Sequence, residues 1–188
     1  MTEFSCICKK SERLELRPLR MEDYKCWIDG FAGQLPQQTR FDEGPFDWSD
    51  LTEEWLRNRL KQRAELAEKD KEYLFACFRI SDGEHIGFLD IVTQLREDFQ
   101  CAHGGYAILN QYWGQGYATE ALRLLIRIAF EDLDFHRLEL HINTDNPASC
   151  HVAEKAGMTY ECIRKAFILE DGIWTDNKIY YINNEKMQ

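Results

Sequence analysis

The sequence predicts an α/β fold: a mixed, mostly antiparallel central sheet flanked by helices, in the order β-α-α-β-β-β-α-β-α-β-β. Three observations predict it. Apolar segments joined by Ser81–Asp82–Gly83 and by Glu170–Asp171–Gly172 read as antiparallel hairpins. From Tyr106 to Ala121 a strand runs through a glycine-bearing turn into the most regular helix of the chain. Further on, a strand at Arg137–Ile142 is followed by a capped helix, the crossover pattern of a sheet that is not wholly antiparallel.

Each element has a local reason. Arg13–Pro18 alternates leucine with charge and reads as a strand that Pro18 ends. Met21–Phe31 carries Tyr24, Trp27, Ile28 and Phe31 on one helical face, and Gly33, Pro36, Gly44 and Pro45 then break the chain into a loop. Asp50–Asp70 is a long charged helix with Leu51, Trp55, Leu56 and Leu60 at helical spacing. Tyr73–Ile80 and His85–Thr93 are the first hairpin. Gln100–Leu109 is an apolar strand interrupted by Gly104–Gly105. Tyr117–Leu133 keeps Leu122, Leu125, Ile126, Ala129 and Phe130 in helical register. Pro147–Ala156 has Asn146 as its cap, proline at its first position and Gly157 just past its end. Tyr160–Leu169 and Trp174–Ile182 close the chain as the second hairpin. One domain over residues 1–188 accounts for the length, with 1–12 as a flexible or edge segment.

Composition narrows the function. With 44% hydrophobic and 30% charged residues the chain is globular rather than disordered. A net charge of −10 argues against a nucleic-acid binder that relies on a basic face, and suits a cationic substrate. The apolar runs are too short for a membrane span, and the N-terminus lacks a signal sequence. Seven scattered cysteines with no CxxC pair point to reduced thiols in a cytoplasm rather than to a disulfide framework or a zinc site. Cys6 and Cys8 have no His or Cys pair at metal-site spacing, so no metal is expected.

The chemistry lies in Tyr106–Ala121. The first amides of a helix lack backbone partners and carry partial positive charge, and glycines let the main chain approach an anion closely. Together they form a diphosphate site that needs no basic side chain. The lysine of a P-loop is missing, and the third glycine of a dinucleotide fingerprint is replaced by Thr119. Gln111-x-x-Gly114-x-Gly116 resembles the [Q/R]xxGx[G/A] acetyl-CoA signature of the GNAT N-acetyltransferases, and YWGQGYATEAL resembles their RimJ/RimL branch, which acetylates protein N-termini. LELRPLRMED resembles the family's opening strand and helix, HIGFLDI its third strand, and NPASCHVAEKAGM its NxxSxxxxEKxGF segment, with Met158 in place of the aromatic. The likeness covers nearly the whole chain.

The resemblance implies roles. Acetyl-CoA would be bound through Ile108, Gln111, Gly114, Gln115, Gly116, Tyr117, Ala118 and Asn146, with Tyr112 and Trp113 holding the turn. A main-chain N–H near Ile108, where the family's strand splays from its parallel neighbour, would meet the thioester carbonyl. Ser149 matches the serine that RimL-like enzymes use as an acid toward the leaving thiolate. The tyrosine of other branches, seven positions after the asparagine, is Ala153 here. His103 and His141 stand where family members carry glutamates, which makes them, with Asp90, the candidates for general base. Asn146 and Ser149 each have a plain alternative as a cap and a first-turn serine. The acidic, aromatic stretch Asp42–Glu54 either steers a cationic amine or is a solvated loop.

The implied activity is acetyl transfer to a primary amine by direct attack in a ternary complex. A protein N-terminus is the first acceptor class. An antibiotic, polyamine or amino acid is the second, and a non-catalytic acyl-CoA-binding module is a rival of another kind. Homodimerisation is common in the family.

Overall fold

The computed structural model describes residues 3–42, 44–45 and 50–185. Its eight strands form one sheet: β1 (Lys9–Lys10), β2 (Leu14–Arg17), β3 (Glu72–Arg79), β4 (His85–Leu95), β5 (Cys101–Ile108), β6 (Arg137–Asn143), β7 (Thr159–Glu170) and β8 (Ile173–Asn183). Their spatial order is β1-β2-β3-β4-β5-β6-β8-β7. Every neighbouring pair is antiparallel except β5–β6. The helices are α1 (Tyr24–Ala32), α2 (Glu53–Glu68), α3 (Tyr117–Glu131) and α4 (Pro147–Ala156).

Strand alternation sends the side chains to two layers. Tyr73, Phe75 and Cys77 of β3 pack with Leu122, Leu125, Ile128 and Ala129 of α3 and with Ala153 of α4 in the main core. Leu74, Ala76 and Phe88 face the other way, lining a cavity with Trp27 and Phe31 of α1 and with Trp55, Leu56 and Leu60 of α2. So α3 and α4 cover one face, and α1 and α2 cover the other. Helix α3 is apolar enough to be held by the core alone, whereas α2 buries only Leu56 and Ala67.

Capping explains two boundaries. Thr52 accepts a hydrogen bond from the Trp55 amide, so α2 begins at Glu53 rather than at Asp50. Asn146 accepts from the Ser149 amide at 3.1 Å, and Gly157 closes α4 at φ +98°, a conformation that would strain any other residue. The short edge strand β1 carries too little alternation to be seen in the sequence.

Gly104–Gly105 does not interrupt β5, contrary to the sequence reading. The two glycines make room on the two faces of a continuous strand. A Cβ on Gly104 would stand 3.1 Å from Leu125 of α3, and one on Gly105 would stand 2.5 Å from the Asp90 carboxylate on β4.

Candidate active site

The parallel ladder between β5 and β6 is only three residues long, from Cys101↔Arg137 to His103↔Glu139. Beyond it the strands diverge. A cleft of about 200 Å³ opens there, lined by Gly104–Tyr106, Leu140–Asn143, Asn146 and Ser149, with Phe41 and Glu170 at its edge.

The end of β5 presents an unused donor to this gap. Ile108 pairs with Gly87 of β4, and the Leu109 amide bonds to the Ile86 carbonyl at 2.9 Å. In an antiparallel ladder that pattern turns the N–H and C=O of Ile108 away from β4, toward the side that β6 has left. The Trp113 indole takes the Ile108 carbonyl at 2.6 Å. Among the described residues no protein acceptor takes the Ile108 N–H.

The glycine turn follows directly. Gly114 and Gly116 have φ of +75° and +80°, and Gly116 is the residue from which α3 starts. A Cβ at Gly114 would meet nothing within 4 Å, and one at Gly116 would meet only the Arg13 guanidinium at 3.6 Å. Among the described residues, the amides of Gly114, Gln115 and Gly116 have no protein acceptor, and the first-turn amides of Tyr117 and Ala118 have none by helix geometry. An open cradle of free donors at a helix N-terminus fits a diphosphate.

The flanking side chains hold this turn. Gln111 donates to the Gly30 carbonyl of α1 at 2.7 Å, so its amide ties the turn to a helix. Tyr117 is buried under Arg13, whose guanidinium lies 4.6 Å from the ring centroid. Arg13 is anchored by Glu120 at 2.7 Å and by the Gln115 carbonyl at 3.1 Å. This brings one cation beside the turn that the sequence reading missed, because about a hundred residues separate Arg13 from the turn and nothing local marks it.

Two groups of polar side chains occupy opposite faces of the splay. On the α3/α4 face, Ser149 Oγ lies 2.6 Å from the Tyr106 hydroxyl, which joins α4 to β5. Burial pushes the Tyr106 phenol up to about 12, so it stays protonated, and either hydroxyl of the pair can donate to the other. Tyr106 was missed as a partner because its pairing with Ser149 spans the chain crossover. Ala153 lies in the core, and so does Cys150.

On the α1/α2 face, the rings of His103 and His141 stack with centroids 5.1 Å apart. His103 Nδ1 meets the Gln94 amide at 3.2 Å. Burial, and then the neighbouring His141, hold the His103 pKa below its ordinary value. His141 lines the cleft, and its Nε2 lies 2.9 Å from Glu139. Asp90 projects on the same face, opposite Gly105. Burial and the charge of Glu72 raise its carboxyl to about 6, with Arg63 opposing.

The loop between α1 and α2 reaches this region. Arg40 donates to Asn143 at 2.9 Å and to Asp145 at 3.2 Å, with Phe41 beneath it. Asp42 is buried and accepts from Asn110, from the Gln38 amide and from the Gly44 amide. It therefore braces the loop and is not free to meet an amine. Phe46, Asp47 and Trp48 of the acidic, aromatic stretch, with Glu43, lie outside the described residues. Among the described residues no group of three or more His, Cys, Asp or Glu side chains can hold a metal, and no helix is long and apolar enough to cross a membrane.

Comparison with known proteins agrees with this geometry. The family model described as "Acetyltransferase (GNAT) domain" matches residues 13–159. The chain is 32% identical over 177 residues to the "Probable N-acetyltransferase YjcK" of Bacillus subtilis, covering 93% of this chain and 96% of that protein. Among solved structures, the ribosomal-protein-S5-alanine acetyltransferase of Vibrio fischeri superposes with a TM-score of 0.75 at 21% identity, over 97% of this chain and 99% of that one. RimJ of Mycobacterium smegmatis, solved in complex with CoA-disulfide, superposes with a TM-score of 0.74 at 24% identity, over 93% and 83%. A splayed strand pair, a glycine cradle before a helix and a match over most of the chain lead to one conclusion: the protein is a member of the GNAT family of N-acetyltransferases.

Proposed function

We propose that the protein transfers the acetyl group of acetyl-CoA to a primary amine, with the α-amine of a peptide N-terminus as its acceptor class, by direct attack in a ternary complex. The observation that carries this reading is the division of the splay. Hydroxyl donors Ser149 and Tyr106 lie on one face, imidazoles His103 and His141 on the other, and the free Ile108 amide lies between them.

Acetyl-CoA supplies the activated thioester. The amides of Gly114 to Ala118 hold its diphosphate, and the Asn146 side chain borders its path through the cleft. The Ile108 N–H meets the thioester oxygen as charge develops there, a contribution worth roughly 3–4 kcal/mol in comparable oxyanion sites. His141, which lines the cleft, takes a proton from the amine as the nitrogen attacks the carbonyl carbon. A C–N bond forms and the C–S bond breaks. Ser149 donates a hydrogen bond to the departing sulfur, with Tyr106 donating to Ser149 in turn. Tyr106 is too weak an acid to protonate a thiolate of pKa about 8.5, so the pair stabilises the anion rather than neutralising it.

The base favours the acceptor class. Near pH 7.4 about 20% of an α-amine of pKa about 8 is neutral, against about 0.1% of a lysine of pKa about 10.4. A histidine suffices for the first and is poorly matched to the second. The name of the Vibrio fischeri neighbour points to the same acceptor class. A polyamine is the second reading, favoured by the Glu170 carboxylate at the cleft edge. A panel of N-terminal peptides, polyamines and amino acids, scored by release of free thiol, decides between them. Turnover confined to polyamines would overturn the peptide assignment. Absence of turnover on every amine would overturn the reaction.

A further inference from the structure

We infer that Glu139 is a positioning residue that fixes the tautomer and ring orientation of His141 and stabilises the imidazolium formed as the amine loses its proton. The geometry points to a carboxylate–imidazole dyad in place of the single carboxylate base. The inference deepens the reading above and rests on it.

Glu139 and His141 are two residues apart on β6, so their side chains share a face. Glu139 Oε2 lies 2.9 Å from His141 Nε2. The side chains are 5% and 8% exposed, so the contact is well shielded from solvent. The hydrogen bond from His141, with Arg137 adding to it, holds the Glu139 carboxyl down at about 2 against the opposing effect of burial. An ionised carboxylate accepts only, so Nε2 must carry the proton and donate it. The lone pair is then left on Nδ1. A histidine held in this way has one basic nitrogen, and its imidazolium is stabilised at the moment it forms.

The surroundings prevent Glu139 from doing anything else. Its Oε1 accepts from Arg137 Nε at 2.8 Å, and Arg164 of β7 stands 3.2 Å from Oε2. Arg137 is held in turn by Glu161 at 2.8 Å. The His141 ring is fixed between His103 of β5 and Phe167 of β7, at centroid distances of 5.1 Å each. The charged and titratable groups that face the dyad are Cys101 and His103 of β5, Arg137 of β6, Tyr181 of β8 and Arg164 of β7, with Glu161 behind Arg137, Glu72 beyond His103 and Glu170 across the cleft. A carboxylate that merely braced the strand would be satisfied by its two arginines. Here one lone-pair direction is given to an imidazole that lines the reaction cleft.

The test is the pH dependence of kcat on the best amine acceptor, for the wild type and for Glu139→Gln, Arg164→Gln and His141→Asn, with thermal melting measured alongside. In Glu139→Gln the loss of the anion weakens the base. The acid limb should move to lower pH by about one unit and the plateau should fall about tenfold, with KM for acetyl-CoA unchanged. In Arg164→Gln the loss of a cation strengthens the base, and the limb should move the opposite way. His141→Asn should lose the limb. Opposite shifts from two neighbours of one ring are not what general destabilisation produces. If Glu139→Gln and Arg164→Gln keep the wild-type limb, whatever their melting temperatures, the inference is overturned while the acetyltransferase reading stands. If the limb survives in His141→Asn and is lost in Asp90→Asn, the base is Asp90 and the inference is equally overturned. A wild type that releases no thiol with any amine overturns both.

Discussion

The cavity beneath α1 and α2 holds about 430 Å³, more than twice the roughly 200 Å³ of the β5–β6 cleft. Each borders a histidine, and the two rings have opposite surroundings. His85, 1% exposed among aromatic and aliphatic walls, has no well-aligned hydrogen-bond partner at either ring nitrogen, and burial drives its pKa down to about 4 against the weak opposing contact of the Gly87 backbone. His141 gives one nitrogen to an ionised glutamate and lines the smaller space. The larger volume is walled mainly by apolar side chains, with Arg20, Arg59 and Arg63 as its charged lining and no carboxylate among its lining residues. The smaller one brings an imidazole and two hydroxyls together, with the free Ile108 amide at the end of the adjoining strand. Chemistry in this molecule follows the partners of its polar atoms rather than the size of its hollows.

Substitutions can break or sharpen that contrast, and the greatest effect is expected at the glycine turn. Gly116→Glu places a strained residue and a negative charge on the cradle, and calorimetric affinity for CoA should fall at least ~100-fold. Retained affinity would remove the diphosphate site. Gly105→Ala forces a methyl group to within 2.5 Å of Asp90. It should cost about 1–3 kcal/mol in denaturant unfolding and lower kcat by about tenfold or more, because the α1/α2 face of the splay must shift. Tyr106→Phe keeps the ring and deletes only the donor to Ser149. A fall in kcat of roughly tenfold with little change in KM for acetyl-CoA is expected, and an unchanged kcat would leave the Ser149 hydroxyl acting alone.

The cavity side should respond in stability instead. The folded-state pKa of His85 lies below its unfolded value of about 6.5. The unfolded chain therefore binds the extra proton first, and stability falls as pH drops from about 6.5 toward 4. In His85→Leu that part of the slope, of order 3 kcal/mol at most, should vanish from pH-dependent melting while activity persists. Ala76→Val, which adds volume on the cavity wall, should change stability by less than about 1 kcal/mol and leave turnover within about twofold. Loss of activity in either variant would make the larger cavity part of the acceptor site.

The sequence revealed the parts of this site that depend on local pattern. The glycine turn, the capped start of α4 and the helix that follows the turn are written in consecutive residues, and so is Ser149 by its distance from Asn146. Alternation placed His103, His141 and Asp90 on strands. It could not show that His103 and His141 stack, because that depends on the register of β5 against β6. The contacts of Arg13 with the turn and of Tyr106 with Ser149 were hidden for the same reason, since each joins distant segments. Gly104–Gly105 misled because a glycine pair reads as a break, whereas here it admits Leu125 on one side and Asp90 on the other. Asp42 fits neither alternative offered by its stretch, since it is buried and bonded to its own loop and to Asn110.

Asn110 begins the turn after β5, and its side chain reaches back to Leu35 and Asp42 in the loop between α1 and α2. One amide is thus a rivet between the turn proposed to hold the diphosphate and the loop that borders the cleft. Slack introduced at that rivet cannot be confined to one side, so a defect there will register in the kinetic constants of both substrates together.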